Sequence, residues 1–460
     1  MASDTMNEIG NVAVIDIGKT NAKVALVALA NCVETVVLKQ PSIIAQDGDY
    51  PHHDVGALWS FITQSLRKLN ETAHVDAISV TTHGATAALV DASGNLALPI
   101  LDYEFDGFGE YRDRYNKLHP KFSETGSPRL PMGLNLGMQI FWQQQKFPDA
   151  FRRVAKILMY PQYWAYRLTG IACNEVTSLG CHTDLWSPVK NDYSSLVDQL
   201  HLRPLMAPLR GAFEILGPIS SAVAQATGLG RTTQVGVGIH DSNASLVPHL
   251  TKSTKAFSVV SSGTWVVAMA IGADTPMLDE NRDCLLNINA RGEMVPSARF
   301  MGGREFQVLA GDQHVKISDP DISAVLEDGV FLLPSVSAGS GPFPDRQSNW
   351  VGSPNVAQRN VAASFYLAMM TATCLQLIGA KGDIIVEGPF SENDLYLKML
   401  SAATGLPIVA DKSSATGTTI GAAMLFGSDA LAVSRRKHSA APSDQSYVAY
   451  ARKWLKLVAS

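Results

Sequence analysis

One local pattern, two strands joined by a short glycine-containing turn, occurs twice in the sequence. Residues 13–27 read AVIDIGKTNAKVALV, and residues 255–272 read KAFSVVSSGTWVVAMAIG. β-Branched and other apolar residues flank the glycine in both segments, which predicts strand, tight turn and strand. Alternating strands and helices are predicted after each turn. This order favours a duplicated α/β unit over a short-period repeat array.

The first turn contains Gly18-Lys19-Thr20, which are the last three letters of a phosphate-binding P-loop. A P-loop also needs a glycine five residues before Gly18, and it opens a helix. Residue 13 is alanine, and the segment after the turn is predicted to be a strand. The sequence therefore excludes a P-loop here and predicts the tip of a hairpin.

The predicted elements divide the chain into two halves. The first half is predicted to contain strands within residues 11–40, a helix within 54–73, a strand at 76–82, a hairpin centred on 93–95, a helix within 150–170 and a strand at 232–241. The second half is predicted to contain the second hairpin, helices within 360–379, 392–405 and 416–427, and strands at 383–388 and 407–411. A polar stretch, residues 248–255, separates the halves. We predict two lobes, residues 1–250 and 251–460, with a cleft between them.

Composition excludes several classes of protein. The 460 residues carry a net charge of −5 without a basic run, which argues against nucleic-acid binding. No apolar stretch approaches the roughly eighteen residues that span a membrane, and the N-terminal residues lack the pattern of a signal peptide. The five cysteines form no CxxC motif and favour reduced thiols over disulfides or zinc. We expect a cytoplasmic protein without a membrane or nucleic-acid partner, for which a homodimer is the commonest oligomer.

Both turns have the composition of an anion-binding loop. Each offers several backbone N–H groups together with hydroxyl or amide side chains, from Thr20 and Asn21 in the first turn and from Ser262 and Thr264 in the second. Backbone concavities of this kind bind anions without a helix dipole. A single such turn is more often an ordinary hairpin. Two of them on matching strands favour a pair of phosphate sites.

Two aspartates end predicted strands. Asp16 stands beside the first turn, where a carboxylate could hold a hydrated Mg²⁺; an Asx turn is the alternative. Asp241 ends the strand QVGVGI and suits a general base that takes the proton of an attacking hydroxyl, with a helix N-cap as the alternative. Gly236 and Gly238 suggest a dinucleotide fingerprint, but its third glycine is replaced by Asp241.

Four segments, in this order and spacing, resemble a known family: DIGKTNAK, GIHDSNASL, SSGTW and TGTTIGAA. The chain resembles the FGGY carbohydrate kinases of the actin/hexokinase-type ATPase superfamily. Within that family, ISVTTHGATAALVDASGNLALPI and YRLTG are most similar to bacterial L-fuculose and L-rhamnulose kinases. The resemblance implies an α/β fold of two ribonuclease H-like lobes flanking a central cleft. It also implies ATP as co-substrate, Mg²⁺ as cofactor and a small-molecule sugar as acceptor.

The resemblance assigns roles to individual residues. Asp241 matches the catalytic base, and Asp16 matches the aspartate associated with Mg²⁺. The positions that match nucleotide contacts are Lys19, Thr20, Asn21, Ser262, Gly263, Thr264, Gly388, Pro389 and Asn393. The positions that match sugar contacts are His83, Gly84, Thr86, Tyr103, Glu104, His240 and Asp241. Lys19 stands where many relatives have a small residue, and it could reach the transferred phosphoryl group or remain solvated.

The chain departs from the family pattern at two places. The adenine loop, usually rich in glycine, reads EGPF and carries Glu387 and Pro389, which leaves the preferred nucleotide base open. Thr86 stands where the rhamnulose and fuculose kinases have a sugar-binding aspartate, so His83 and Glu104 would have to compensate.

The sequence thus predicts an ATP-dependent kinase that phosphorylates a ketose at O1, with L-rhamnulose and L-fuculose as the expected 6-deoxyketohexoses. One alternative is a kinase of the same family that acts on a pentulose, a polyol or glycerol. The other alternative is a sugar or nucleotide sensor with the same fold and no turnover.

Overall fold

The computed structural model describes residues 9–250, 255–273, 278–310, 317–411, 417–427, 438–440 and 445–460. These residues form two compact units. The first contains residues 9–250, 287–293 and 417–427, and the second contains the remaining described residues. The chain therefore returns to the first unit twice, a feature absent from the predicted division at residues 250 and 251.

The first unit is built on a seven-stranded mixed sheet. Six strands follow in the spatial order Ile215–Pro218, Gln234–Gly236, Ala77–Thr82, Asn11–Ile17, Asn21–Ala28 and Val33–Pro41. The seventh strand, Ile239–His240, also pairs with Ala77–Thr82. Short strand pairs are Ile44–Ala45 with His52–His53, Ala87–Asp91 with Val154–Met159, and Trp186–Ser187 with Asp192–Tyr193.

Helices cover this sheet. The helices of the first unit are Val55–Thr72, Glu110–Asn116, Phe122–Thr125, Leu136–Lys146, Pro148–Phe151, Tyr160–Thr169, Val176–Leu179, Ser195–Gln199, Ser221–Thr227, Asp241–Leu250 and Gly417–Met424, with a 3₁₀ turn at Arg203–Leu205. Asp54 caps the first of these helices, because its Oδ1 accepts a hydrogen bond of 2.8 Å from the Ala57 amide.

The second unit repeats the plan. Its seven strands follow in the order Cys284–Ile288, Met294–Phe300, Val266–Ile271, Phe257–Ser262, Asp383–Glu387, Ile408–Ala410 and His438–Ala440. Its helices are Gly302–Ala310, Asp319–Asp328, Val356–Leu377, Asp394–Thr404 and Gln445–Ala459, with 3₁₀ turns at Glu280–Arg282 and Pro389–Glu392 and a strand pair Phe331–Leu333 with Asn349–Val351.

The two sheets share one connection pattern, which confirms the predicted duplication. In each, the opening strand pairs antiparallel with the strand after its turn and parallel with a later strand. Asn11–Ile17 thus lies between its hairpin partner and Ala77–Thr82, and Phe257–Ser262 lies between its hairpin partner and Asp383–Glu387.

Two predictions for the first half need correction. The first part of the helix predicted within residues 150–170 is the strand Val154–Met159, and the helix begins at Tyr160. The hairpin centred on residues 93–95 is present but shorter than predicted. Its arms pair at one bridge, between Val90 and Leu96, with hydrogen bonds of 2.8 Å from the Asp91 amide to the Asn95 carbonyl and from the Ala97 amide to the Leu89 carbonyl. The strand Ala87–Asp91 finds its longer partner in Val154–Met159, a long-range pairing that local periodicity does not reveal.

Among the residues that the structure describes, no helix is both long enough and apolar enough to cross a membrane.

Candidate active site

Three neighbouring parallel strands bring functional side chains to one edge of the first sheet. Asn11–Ile17 and Ala77–Thr82 are parallel, with Asp16 opposite Thr81, and Ile239–His240 runs parallel to Ala77–Thr82 on its other side. Parallel strands end at a common edge, which is where ligands bind in α/β sheets. Asp16, His83 and Asp241 lie at or just beyond these strand ends.

The first turn, residues 18–20, keeps free amide groups. The Gly18 amide donates 2.9 Å to the Asn21 carbonyl, and Ser42 donates to the carbonyls of Thr20 and Gly18, both at 2.9 Å. The backbone N–H groups of Lys19 and Thr20 donate to no acceptor within the described part of the chain. Such a braced turn with free amides is the arrangement that binds a phosphate oxygen.

Asp16 is a carboxylate in a poorly solvated position. Burial raises the pKa of Asp16 to about 6, the Lys23 ammonium opposes that rise, and the charge of Asp241 adds to it. Lys23 Nζ lies 3.7 Å from the carboxylate, and Thr419 Oγ1 donates to it at 3.5 Å. A nearby cation would relieve this cost. The described ranges contain no group of three or more His, Cys, Asp or Glu side chains that could by itself hold a metal ion.

Asp241 is the first residue of the helix Asp241–Leu250, and 31% of its side chain is exposed. Burial pushes the pKa of Asp241 upward, but the neighbouring His240 and its hydrogen bond outweigh burial and hold that pKa below the usual value. His240 Nε2 lies 3.1 Å from Asp241 Oδ1, and the Ser242 amide donates to the same oxygen at 2.6 Å. The carboxylate is therefore ionised at neutral pH and able to accept a proton.

His240 is held on three sides. Its Nδ1 lies 3.2 Å from Asn243 Nδ2, and its Nε2 lies 3.8 Å from Cys181 Sγ as well as near Asp241. A side chain at Gly84 would place a Cβ only 3.0 Å from His240 Nε2. Gly84 thus permits the close approach of the His83–Gly84 loop to the His240–Asp241 pair.

A buried pair of imidazoles lies beside this pair. His83 and His53 are stacked with ring centroids 5.3 Å apart, and His83 Nδ1 donates 2.9 Å to the Gly84 carbonyl. His83 Nε2 and both nitrogens of His53 have no hydrogen-bond partner among the described residues. Burial lowers the pKa of His83, and it lowers that of His53 well below the usual value, so both rings are neutral. His53, which is only 2% exposed, was not predicted as a site residue.

A short acidic segment, Asp102-Tyr103-Glu104, joins the imidazole pair to the first turn. The Tyr103 ring meets His83 edge-on at 5.3 Å. Lys19 Nζ forms an ion pair with Asp102, lies 3.2 Å from Glu104 Oε2 and stands 4.8 Å above the Tyr103 ring. Asp102 was not predicted, although it precedes two predicted sugar contacts in LDYEF and is the buried acid of this segment.

Thr86 is buried, and its hydroxyl has no partner among the described residues. Its carbonyl accepts a hydrogen bond of 3.1 Å from the Tyr160 amide, and Tyr160 packs against both His53 and His83 at 5.2 Å. Thr86 therefore lies next to the imidazole pair.

The second unit brings the second turn, residues 263–265, against the predicted adenine loop. The Gly263 amide donates 2.9 Å to the Trp265 carbonyl. The Ser262 hydroxyl donates to the Glu387 carbonyl and accepts 3.0 Å from the Phe390 amide. Because that hydroxyl is occupied, any phosphate contact by Ser262 would come from elsewhere in the residue.

Glycines allow this close packing. Gly388 has φ +78°, and a Cβ there would lie 2.0 Å from the Ser262 carbonyl oxygen. Gly303, which was not predicted, would place a Cβ 1.9 Å from the Gly263 carbonyl oxygen, and its amide donates 3.2 Å to the Thr264 carbonyl. The helix Gly302–Ala310 thus begins directly against the second turn.

Pro389 and Asn393 bracket the start of the next helix. Pro389 opens the turn Pro389–Glu392. Asn393 Oδ1 accepts 3.1 Å from the Tyr396 amide, which caps the helix Asp394–Thr404, and its Nδ2 donates 3.0 Å to Ser364 Oγ. These are structural contacts, and the nucleotide role of both residues stays a prediction.

Two family models match the chain. The model for the FGGY family of carbohydrate kinases, N-terminal domain, matches residues 11–248, and that for the carbohydrate kinase FGGY, C-terminal domain, matches residues 254–435. The rhamnulokinase of Pectobacterium carotovorum is 26% identical over 358 residues, which are 74% of this chain and 68% of the relative. The L-fuculokinase of Escherichia coli is 23% identical over 446 residues, which are 90% of this chain and 91% of the relative.

Solved structures agree with the fold. A carbohydrate kinase from Novosphingobium aromaticivorans has a TM-score of 0.90 at 34% identity and covers 97% of this chain and 100% of its own. A ligand-bound xylulose kinase from Lactobacillus acidophilus has a TM-score of 0.79 at 15% identity and covers 98% of this chain and 97% of its own. The predicted fold class, two sheet-containing lobes of the actin/hexokinase-like type, is confirmed.

Proposed function

This chain belongs to the FGGY family of carbohydrate kinases, and we propose that it transfers the γ-phosphoryl group of ATP to the primary C1 hydroxyl of an uncharged ketose. That the enzyme is an ATP-dependent sugar kinase follows from the family. The hydroxyl, the atom phosphorylated and the residue roles are the proposal.

The observation that carries this proposal is the grouping at the edge of the first sheet. An ionised aspartate, Asp241, lies near neutral imidazoles with unpartnered nitrogens, and a turn with free amides lies on the adjacent strand. A general base, acceptors and donors for hydroxyl groups, and an anion-binding turn are the parts that phosphoryl transfer to a sugar needs.

In this mechanism Asp241 takes the proton of the C1 hydroxyl. The hydroxyl oxygen forms a bond to the γ-phosphorus as the bond to the β-phosphate oxygen breaks, and ADP leaves. The His240 hydrogen bond keeps the carboxylate ionised before the reaction and oriented during it. The turn that carries Thr20 and Asn21 would hold phosphate oxygens through backbone and side-chain donors. Phosphate binding by Gly263 and Thr264 stays a prediction from the sequence.

Asp16 would hold Mg²⁺. Its carboxylate is half-buried, and the charge of Asp241 raises its pKa further. Its two partners are distant, the Lys23 ammonium at 3.7 Å and the Thr419 hydroxyl at 3.5 Å, so it fits a hydrated cation. Bound there, the ion would neutralise charge on the phosphates. Because the described residues offer no complete set of protein ligands, water and phosphate oxygens would supply the others.

We call His53, His83 and the neighbouring segment Asp102-Tyr103-Glu104 the sugar cluster. Its charges favour a neutral substrate. His53 and His83 are uncharged, and each neutral imidazole has one donor and one acceptor, which suits a hydroxyl group. The ammonium of Lys19 is matched by Asp102 and Glu104. A sugar acid would therefore meet an excess of negative charge.

The relatives favour a 6-deoxyketohexose, because a rhamnulokinase and an L-fuculokinase are among them. A methyl or hydroxymethyl group at the far end of the sugar changes affinity by only about 1–3 kcal/mol. A pentulose, polyol or glycerol kinase therefore remains the alternative substrate assignment.

A sugar panel tests the proposal. ADP release would be measured with Mg·ATP and L-rhamnulose, L-fuculose, both xyluloses, both ribuloses, glycerol and erythritol, with gluconate as the charged control. We expect a ketose to give the highest kcat/KM, and gluconate to give none. If glycerol or erythritol exceeds every ketose, the ketose assignment fails, and binding of a sugar without ADP release would support the sensor alternative.

A further inference from the structure

Lys19 is the tip residue of the first turn, yet its side chain points toward the acidic segment. Its Nζ forms an ion pair with Asp102 and lies 3.2 Å from Glu104 Oε2. The Lys19 side chain is 21% exposed and that of Asp102 only 8%. Ion pairs shielded from water in this way hold their partners more firmly than exposed pairs do, because removal of one partner leaves a poorly solvated charge.

The acidic segment is itself fixed. The Asp102 amide donates 3.0 Å to the Pro51 carbonyl, and the Tyr103 carbonyl accepts 2.8 Å from the Gly133 amide. Asp102 Oδ1 also accepts 3.3 Å from the Glu104 amide. Lys19 is therefore attached to a braced segment rather than to a free surface carboxylate.

The same segment contacts the imidazole pair, His53 and His83. The Tyr103 ring lies edge-on against His83, 5.3 Å away, and under the Lys19 ammonium at 4.8 Å. On the other side, Lys19 is flanked by Gly18 and Thr20, whose carbonyls are both fixed by Ser42. A single side chain thus connects the turn with free amides to the segment beside the imidazoles.

We propose that Lys19 is a positioning residue that couples the binding of the two substrates. When bound sugar orders the acidic segment, the ion pair between Lys19 and Asp102 holds the first turn in its phosphate-binding form. This inference rests on the proposed function, since it assigns the sugar to the imidazole cluster and phosphate to the turn. Two sites joined through one contact affect each other equally, so the sugar raises the affinity for ADP by the factor by which ADP raises the affinity for the sugar.

The test measures the dissociation constant of Mg·ADP by calorimetry, with and without the ketose that is turned over fastest in the panel. Wild type is compared with Lys19→Met, Asp102→Asn and the double variant. Lys190→Met, which removes the ion pair of 3.1 Å with Glu124 on the surface of the same unit, is the matched control. Circular dichroism shows whether a loss comes from unfolding. Lys19→Arg, which keeps the charge, shows whether a loss comes from removal of the ion pair.

We expect the sugar to tighten ADP binding by about 5–150-fold in the wild type and by less than twofold in Lys19→Met and Asp102→Asn. The double variant should resemble either single variant, because both changes remove one interaction. Lys19→Arg should recover part of the effect, and Lys190→Met should equal the wild type.

Three results would overturn the inference. Absence of coupling in the wild type would remove its premise. Equal weakening of ADP binding with and without sugar in Lys19→Met would make Lys19 a direct phosphate ligand, and wild-type coupling in that variant would make the ion pair irrelevant. Failure of the proposed function is seen separately, as a wild-type protein that turns over no ketose in the panel.

Discussion

Asp241 combines two properties that oppose each other in most carboxylates. Burial by itself would raise the pKa of Asp241, yet His240, at 3.1 Å, outweighs burial and holds that pKa below its usual value, so the carboxylate is ionised. At neutral pH such a carboxylate is not protonated by water before the substrate binds, so it is free to accept the proton of the hydroxyl. His240 and the Ser242 amide both contact Oδ1, so Oδ2 is the oxygen that would face the sugar hydroxyl.

Replacing the base tests this residue directly. Asp241→Asn keeps the size and can accept the Ser242 amide but cannot take a proton, so kcat should fall by about 10²–10⁴, equivalent to roughly 3–5.5 kcal/mol of barrier. Sugar affinity, measured by calorimetry, should change much less. Asp149→Asn, at an exposed position, is the control. A folded Asp241→Asn enzyme with more than about a tenth of wild-type turnover would exclude a general-base role of this size.

His53 makes stability depend on pH with a definite sign. Its pKa is lowered in the folded protein by burial, whereas in the unfolded chain a histidine titrates near 6.5. Below pH 6.5 the unfolded state therefore binds more protons, and the stability that neutral His53 allows is lost as pH falls.

His53→Phe removes this titration. The free energy of unfolding of the variant, relative to wild type, should shift in its favour between pH 7.5 and pH 5.0, by at most about 1.4 kcal/mol per pH unit. Urea titrations at several pH values measure the shift. His74→Phe, at an exposed position, is the control for the substitution itself. A constant difference between His53→Phe and wild type across this range would contradict a neutral buried imidazole.

At the scale of elements, local patterns predicted what local forces determine. Both hairpins and the helix Val356–Leu377 follow from alternation and from a long apolar segment. Val154–Met159 was mistaken for helix because its partner, Ala87–Asp91, lies more than sixty residues earlier in the chain. His53 was missed for the same reason: only the fold brings it against His83.

The helix Gly417–Met424 shows how two elements position the base. It packs against Asp241–Leu250, and Gly421 lies so close that a Cβ would be 1.8 Å from the Ala244 carbonyl oxygen. The sequence marked Gly421 as part of the segment TGTTIGAA but could not show which helix it meets. The glycine is needed because the two backbones touch there.

Gly421→Ala should force the helices apart. Overpacking of this kind costs about 1–3 kcal/mol or more, and the displacement of Asp241 should lower kcat as well. Gly56→Ala is the matched control, since its Cβ would meet only Asp54 Oδ1 at 3.5 Å; it should be neutral or stabilising by up to roughly 1 kcal/mol through helix propensity. Urea midpoints and turnover measure both. Equal stability of the two variants would show that the backbones can separate at no cost.

At the scale of the whole molecule, the chain does not divide at one point. Residues 287–293 and 417–427 belong to the first unit although the sequence between and around them belongs to the second. The composition change near residue 250 marks one crossing, but no local signal marks the return, because it depends on which sheet the helix Gly417–Met424 covers. That helix contacts Asn11–Ile17, Ala77–Thr82 and Asp241–Leu250.

Because residues 417–427 belong to the first unit, we can predict how a fragment without them behaves. Residues 1–253 alone lack the helix Gly417–Met424, whose buried Ile420 and Met424 side chains contribute together roughly 3–6 kcal/mol. The fragment also leaves Ser79 Oγ without its 2.7 Å acceptor, the Ala422 carbonyl. A domain is typically stable by only about 5–15 kcal/mol, so the fragment should unfold at much lower urea and bind the dye ANS.

Joining residues 415–427 to residues 1–253 through a flexible glycine–serine linker of about twenty residues should restore the lost stability and suppress ANS binding. The control carries the helix Gln445–Ala459 of the second unit on the same linker, which supplies an amphipathic helix but not the close contact at Gly421. We expect a higher urea midpoint only for the native helix, because its glycine lets it approach Ala244. If residues 1–253 alone are as stable as the linked fragment, the helix Gly417–Met424 is dispensable for the first unit. The base helix would then have to be held by the contacts within residues 9–250 alone.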